Sequence, residues 1–152
     1  MTPFDPPFTP VRAFYALFIS WFLSQLIKVM RGTVKEKKFN FRWLFDTGGM
    51  PSSHSASVAS LATSAGLYYG FNTVIFLIVF VFSMITMFDA AGVRRNVGKQ
   101  AVVLNKMLDE IQQQGGFQEK RLKELLGHTP VEVFAGAFLG IILTLIICGK
   151  HS

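Results

Sequence analysis

The chain has 152 residues, of which 51% are hydrophobic, and its formal net charge is +6. This length allows one domain, and the composition, with sixteen phenylalanines, is too apolar for an ordinary soluble domain of that size. A bilayer core about 30 Å thick requires about 20 apolar residues per spanning helix. The sequence therefore predicts a single-domain integral membrane protein and excludes an ordinary soluble enzyme.

Four apolar segments are long enough to be membrane spans, so the predicted fold class is an all-α, integral membrane helical bundle. No charged residue occurs between Ser55 and Phe88. The second segment is weakly hydrophobic and rich in Ser, Ala and Thr, which is typical of a helix inside a bundle, where small residues allow close approach. The predicted spans are approximately residues 12–30, 51–69, 72–89 and 130–148.

Two basic connections, about residues 31–50 and 90–129, join these spans. Of the fifteen Lys and Arg residues, six lie between Lys28 and Arg42 and seven between Arg94 and Lys123. The positive-inside rule predicts that both connections are cytoplasmic and that both termini lie outside. The second connection is predicted to contain an amphipathic helix over residues 96–114 and a shorter helix over residues 118–126. Anionic lipid and a bound anion account for the net charge without any nucleic acid.

The first polar motif lies where the second span begins and reads Met50-Pro51-Ser52-Ser53-His54. Unpaired backbone N–H groups at a helix N-terminus bind anions, because the helix dipole also favours negative charge there. A histidine beside such a site can donate a proton to a leaving oxygen. The alternative is that Ser52 or Ser53 only caps the helix.

The second polar motif lies where the last span begins and contains His128 and Glu132. Residues four apart on a helix share a face, so Glu132 can bind one ring nitrogen of His128. This contact would fix the tautomer and leave the other nitrogen more nucleophilic. It would also explain a carboxylate within an apolar span, where a charge is costly and usually functional. The alternative is a structural pair that ties the helix to the preceding loop.

Cations near the ends of the first and third spans could bind the same anion. The guanidinium groups of Arg94 and Arg95 match phosphate oxygens, although such a pair can also simply set the topology. Lys28 either joins them or extends to the membrane interface. Asp89 either orients one arginine or flanks the membrane. Asn105 on the amphipathic helix either supports the site or is solvated.

A metal site is not favoured by the sequence, and no cofactor is predicted. His54, His128, Asp89 and Glu132 are conceivable ligands. The sequence nevertheless contains no cysteine pair, no His-Glu-x-x-His motif and no acidic cluster, and these are the patterns that signal metal sites.

Both polar motifs resemble those of a known superfamily. Pro51-Ser52-Ser53-His54 resembles the Pro-Ser-x-His second motif of the phosphatidic acid phosphatase type 2 superfamily. His128-x-x-x-Glu132-Val133-x-x-Gly136 resembles the end of its third motif, His-x-x-x-Asp-x-x-x-Gly, with Glu in place of Asp.

The resemblance is closest to the divergent branch of that superfamily and extends from Gln25 to Gly140. This branch comprises small bacterial and plastid membrane proteins related to acid phosphatases and vanadium haloperoxidases. The superfamily's third motif has an arginine six residues before its histidine, a position that Leu122 occupies here. That role is therefore assigned to Arg94 or Arg95.

The resemblance implies a metal-independent phosphatase that acts on a lipid phosphate or diphosphate through a phosphohistidine. His128 would be the nucleophile, Glu132 its orienting group and His54 the general acid. The phosphate would be bound by Ser52, Ser53, Arg94, Arg95 and Lys28, with Asp89 and Asn105 in support.

The implied partners are the lipid phosphate substrate and membrane lipids, and a short bundle is also compatible with a homo-oligomer. The implied location is a bacterial cell membrane or a plastid membrane, with the active site on the cytoplasmic side. Two alternatives remain open. One is a non-catalytic protein that binds or transports a lipid phosphate on the same scaffold, and the other is a structural membrane subunit.

Overall fold

The computed structural model describes residues 10–37, 49–113 and 127–149. Within these ranges the chain is helical and contains no strand, so the predicted all-α class is confirmed. The short helix predicted over residues 118–126 and most of the first basic connection lie outside the described residues. The helices are α1 (Pro10–Glu36), α2 (Ser53–Tyr69), α3 (Val74–Ala91), α4 (Val93–Gln113) and α5 (Pro130–Cys148).

Three stretches of helix are long and apolar enough to cross a membrane: α1, α3 with its continuation to Ile111, and α5. They agree with the predicted membrane bundle. The second predicted span forms α2, which has 17 residues, is only about 25 Å long, and does not belong to this set. Its composition has a structural reason: α2 packs against α1, α3 and α5, so its surface faces protein rather than lipid.

The contact between α2 and α5 is the closest in the bundle, because glycines of α5 meet backbone oxygens of α2. A Cβ atom at Gly136 would overlap the Ser52 carbonyl oxygen, and one at Gly140 would overlap the Ala56 carbonyl oxygen. Both contacts advance by four residues on both helices, so α2 and α5 run parallel in a fixed register. Small residues in this spacing are typical of closely packed helices in membranes. The two N-termini therefore lie side by side at one end of the bundle.

Hydroxyl groups link the helices further along. Thr144 Oγ1 and Ser60 Oγ form a hydrogen bond of 2.8 Å between α5 and α2. Ser83 of α3 donates to the Val58 carbonyl oxygen of α2 at 3.0 Å. Such interhelical hydrogen bonds contribute about 0.6 kcal/mol each in a membrane. The bundle therefore depends mainly on close packing, with hydroxyl contacts that fix the register.

The first helix differs from its prediction at one end. The predicted span ended near residue 30, whereas α1 continues to Glu36, with Lys35 in its last turn. Helix formation does not stop at the membrane boundary, because the backbone hydrogen bonds of α1 can continue into water. The additional turns carry Arg31 and Lys35 beyond the apolar part of the helix.

Candidate functional site

All five described helices contribute residues to one end of the bundle, which we call the histidine end. The Ser52 N–H group, just before α2, donates to the Glu132 carbonyl oxygen of α5 at 3.0 Å. The His128 N–H group, just before α5, donates to the Ala90 carbonyl oxygen of α3 at 3.1 Å. These backbone contacts hold the starts of α2 and α5 against the end of α3.

The two internal histidines are neighbours at this end. The ring centroids of His54 and His128 are 6.5 Å apart, and the ring planes are inclined by 60°. His54 is exposed, whereas His128 has a relative exposure of 3%. Side chains from two distant segments of the chain therefore face each other, one from the surface and one from the interior.

His128 is held through one ring nitrogen. Its Nδ1 atom lies 3.2 Å from Glu132 Oε2, and the Glu132 side chain is 20% exposed. A carboxylate only accepts hydrogen bonds, so Nδ1 carries the proton and Nε2 of the neutral ring retains its lone pair. The structure thus brings the predicted His–Glu pair together through Nδ1 of the ring.

Thr129 contacts Glu132 and was not among the residues predicted for the site. Its N–H group donates to the same Glu132 Oε2 atom at 3.0 Å, and its Oγ1 atom accepts from the Glu132 N–H group at 3.3 Å. Together these contacts form a capping box at the start of α5. The signal was present in the sequence, since Thr-x-x-Glu before an apolar run is typical of this motif.

We expect Thr129→Val to loosen Glu132, because the variant keeps the volume of the side chain but loses the capping hydroxyl. Loss of an N-cap costs about 1 kcal/mol, which corresponds to a fall in melting temperature of about 2 to 4 °C for a chain of this size. Thr129→Ser retains the hydroxyl and is the matched control. Thermal unfolding in detergent and ¹⁵N NMR of the His128 ring measure the two effects. An unchanged ring spectrum in the valine variant would show that the cap does not orient His128.

The serines of the first motif are buried at the start of α2. Ser52 is the N-cap, and its Oγ atom accepts from the Ser55 N–H group at 3.3 Å. The Ser55 hydroxyl lies 3.0 Å from the same atom. Ser53 follows as the first helical residue and is also buried. The capping role weighed for Ser52 is therefore present, and the N-terminal dipoles of α2 and α5, each about half an elementary charge, reinforce each other.

Lys28 is directed into the bundle and not toward the membrane interface. It is 7% exposed, and its Cγ atom lies 3.3 Å from the position of a Cβ atom at Gly49. Gly49 has a φ of +95°, a conformation that glycine adopts at little cost. The lysine stem thus lies against the turn that leads into Ser52.

The remaining predicted residues lie on α3 and α4. Asp89 and Arg95 are both partly buried and flank the junction between these helices, where the Ala90 carbonyl binds the His128 backbone. The side chain of Arg94 lies outside the described part of the structure. Asn105 is buried, but its backbone is about 15 Å further along α4 than that of Arg95. The residue before Ala90 and the first turns of α4 therefore carry Asp89 and Arg95, and Asn105 lies further along α4.

Metal-binding side chains do not form a cluster of three or more within residues 10–37, 49–113 and 127–149. The site described so far consists of two histidines, a carboxylate bound to one of them, cations and two helix N-termini. This donor set is suited to an anion with several oxygen atoms.

The helices and the site define the class of protein: a membrane helical bundle with paired histidines and cations at one end. The chain belongs to the Divergent PAP2 family, whose sequence profile matches residues 11–143. It is also 42% identical over 135 residues to a Bacillus subtilis (strain 168) protein named "Uncharacterized membrane protein YuiD". The alignment covers 82% of this chain and 85% of that relative. No solved structure matches the chain. The family expected from the two motifs is thus confirmed.

Proposed function

We propose that this protein is a metal-independent membrane phosphatase that hydrolyses a lipid phosphate or lipid diphosphate through a histidine nucleophile. The pair of rings, with centroids 6.5 Å apart, carries the proposal. Attack requires reacting atoms about 3 to 3.5 Å apart, and proton donation requires about 2.6 to 3.2 Å. A nucleophile and an acid on opposite sides of one phosphorus atom are therefore separated by roughly 6 to 8 Å, and ring centroids 6.5 Å apart allow two ring nitrogens to take up this separation.

In the first step, Nε2 of His128 attacks phosphorus and the bond from phosphorus to the lipid oxygen breaks. His54, protonated beforehand, gives its proton to that oxygen, so the lipid leaves as a neutral alcohol or a protonated phosphate. Glu132 stabilises the positive charge on the ring of His128. In the second step a water molecule gives a proton to His54 and attacks the phosphohistidine, which releases inorganic phosphate and restores both histidines.

Charge stabilisation comes from the groups around the rings. A phosphoryl group in the transition state carries negative charge on its equatorial oxygens, and fixed positive groups lower its energy. Lys28 beside the Gly49 turn, Arg95 at the α3–α4 junction and the paired N-termini of α2 and α5 supply this charge. Arg94, Ser52 and Ser53 complete the predicted phosphate-binding set, with Asp89 as a neighbour of the arginines and Asn105 in a supporting role.

We also propose that the site faces the cytoplasm of a bacterial cell or the equivalent side of a plastid membrane. Arg31 and Lys35 lie on the last turns of α1, and Arg95 and Lys99 on the first turns of α4. All four extend from the histidine end, and basic residues flanking spans favour the cytoplasmic side. Single-cysteine labelling of the exposed positions 54 and 99, in a chain with Cys148→Ser, should find both on that side in intact cells.

The experiment that tests the activity is phosphate release by the purified protein in detergent. Phosphatidic acid, phosphatidylglycerophosphate, polyprenyl phosphate and polyprenyl diphosphate are the substrates, each with a metal chelator. We expect release from at least one lipid, unaffected by the chelator and inhibited by vanadate, which mimics the pentacoordinate phosphorus. If the wild-type protein binds vanadate or a lipid phosphate and releases no phosphate from any substrate, a role in binding or transport replaces hydrolysis.

A further inference from the structure

Helix α4 presents its large apolar side chains outward. Six of them are between 47% and 60% exposed. At 100° per residue all of these except Val103 fall within about 80° of the helix circumference, so these five form one stripe along most of the helix. We call this set the apolar stripe of α4: Val93, Val97, Leu104, Met107 and Ile111.

The apolar stripe is not the face by which α4 packs on the protein. Gly98, Ala101 and Asn105 are the buried residues of α4, and their directions centre roughly 110° away from the middle of the stripe. Among the described helices, α4 contacts α3. Small residues thus face the interior, and the large apolar ones face outward, which is the reverse of a soluble helix docked on a core.

The width of the apolar face of α4 indicates whether a lipid surface or a second copy of the chain covers it. A coiled-coil seam is a narrow repeat sustained over at least about three heptads. Here Gln100 interrupts the repeat, and exposed Val103 with half-buried Leu108 widens the face to about 140°. A face this broad is typical of a helix lying in the interface of a membrane.

The charges of α4 also favour a membrane surface as the partner of the apolar stripe. The helix carries Arg94, Arg95, Lys99 and Lys106 against Asp109 and Glu110. Lys99 and Lys106 are exposed beyond Val103, roughly 130° from the middle of the stripe, and their long side chains can reach anionic headgroups from there. One residue, Gly92, separates α4 from α3, which is part of a stretch long and apolar enough to cross a membrane.

We propose that α4 lies in the headgroup layer of an anionic membrane at the histidine end, with its apolar stripe in the lipid. This inference does not depend on the proposed phosphatase activity. It has a consequence for the site, because Arg95 lies in the first turns of α4 and the Ala90 carbonyl just before it binds the His128 backbone. Docking of α4 would hold Arg95 at the level of the lipid phosphates.

The test uses the full chain with Cys148→Ser, in which single cysteines carry a spin label at position 97 or 104. Labels at positions 99 and 106 are the matched controls on the polar face. The protein is reconstituted in vesicles of phosphatidylcholine with phosphatidylglycerol and in vesicles of phosphatidylcholine alone. We expect the ratio of oxygen collisions to aqueous nickel-complex collisions to be several-fold higher at 97 and 104 than at 99 and 106. In the uncharged vesicles this difference should shrink.

Two results would overturn the proposal. Equal nickel-complex access at all four positions in both kinds of vesicle would place α4 in water. Spin–spin broadening at 97 and 104 that disappears on dilution with unlabelled protein would assign the stripe to a second copy. The double substitution Lys99→Gln, Lys106→Gln should remove the dependence on lipid charge without lowering the melting temperature. None of these measurements requires turnover, so their result does not depend on whether the protein is a phosphatase.

Discussion

Replacement of His128 by alanine should lower phosphate release by about 10³-fold or more on every substrate, because it removes the proposed nucleophile and with it the covalent intermediate. The buried Nε2 atom of His128 is the proposed nucleophile, and its Nδ1 atom is held 3.2 Å from Glu132 Oε2. Glu132→Gln keeps the shape of this contact and loses the charge that stabilises the imidazolium, so it should retain part of the activity.

The two histidines should differ in how the loss depends on the leaving group. A general acid contributes about 10²- to 10⁴-fold, and its contribution shrinks when the leaving group needs no proton. His54→Ala should therefore be strongly impaired on a lipid monophosphate and mildly impaired on an aryl phosphate, whereas His128→Ala should be inactive on both. Rates in detergent with both substrates, together with rapid-quench trapping of a labelled phosphohistidine, measure this difference.

The reverse pattern would exchange the two roles: activity on aryl phosphate in His128→Ala and none in His54→Ala. Equal losses in both variants on both substrates would mean that neither histidine acts as a separate acid. Melting temperatures must be compared in parallel, because the His128–Glu132 contact also joins the loop to the start of α5.

Gly136→Ala should disrupt both stability and activity, because the added methyl group would overlap the Ser52 carbonyl oxygen. Backbone cannot rotate away as a side chain can, so α2 and α5 must separate at this point. Overpacking of this kind typically costs about 1 to 3 kcal/mol. The separation would also strain the hydrogen bond from the Ser52 N–H group to the Glu132 carbonyl, which lies directly at the histidine pair.

Gly140→Ala provides the informative comparison, because its methyl group would overlap the Ala56 carbonyl oxygen one turn further from the site. We expect a similar loss of melting temperature and a smaller loss of kcat/KM than in Gly136→Ala. Val131→Ile adds one carbon at a position that is 65% exposed and should change neither quantity. If Gly136→Ala melts like the wild type, the close approach of α2 to α5 does not hold the bundle together.

The proposed hydrolase differs from the two alternatives in measurable ways. A protein that binds or transports a lipid phosphate would use the same cations and helix N-termini, but the wild type would release no phosphate. A structural subunit would tolerate His54→Ala and His128→Ala without any change in phenotype. A homo-oligomer remains a prediction, and light scattering in detergent would establish the copy number.

The second predicted span shows what hydropathy alone does not predict: how a helix packs against other helices. The small-residue composition of α2 correctly indicated a helix inside the bundle, and the structure places it against α1, α3 and α5. That composition also makes α2 the least apolar of the predicted spans, since a helix surrounded by protein need not match the hydrocarbon around it. The hydrophobic signal measures contact with lipid, whereas α2 is defined by its contacts with other helices.

By itself, the sequence determined the membrane class, the all-α fold, the family and the pairing of His128 with Glu132. These depend on local properties: the length of an apolar run, the motif residues, and the geometry of side chains four apart on one helix. The tertiary structure alone decided that His54 lies beside His128, that Lys28 packs against Gly49 and that α2 and α5 share a close parallel register. These contacts join segments far apart in the chain, and interhelical packing, which no local pattern encodes, fixes them.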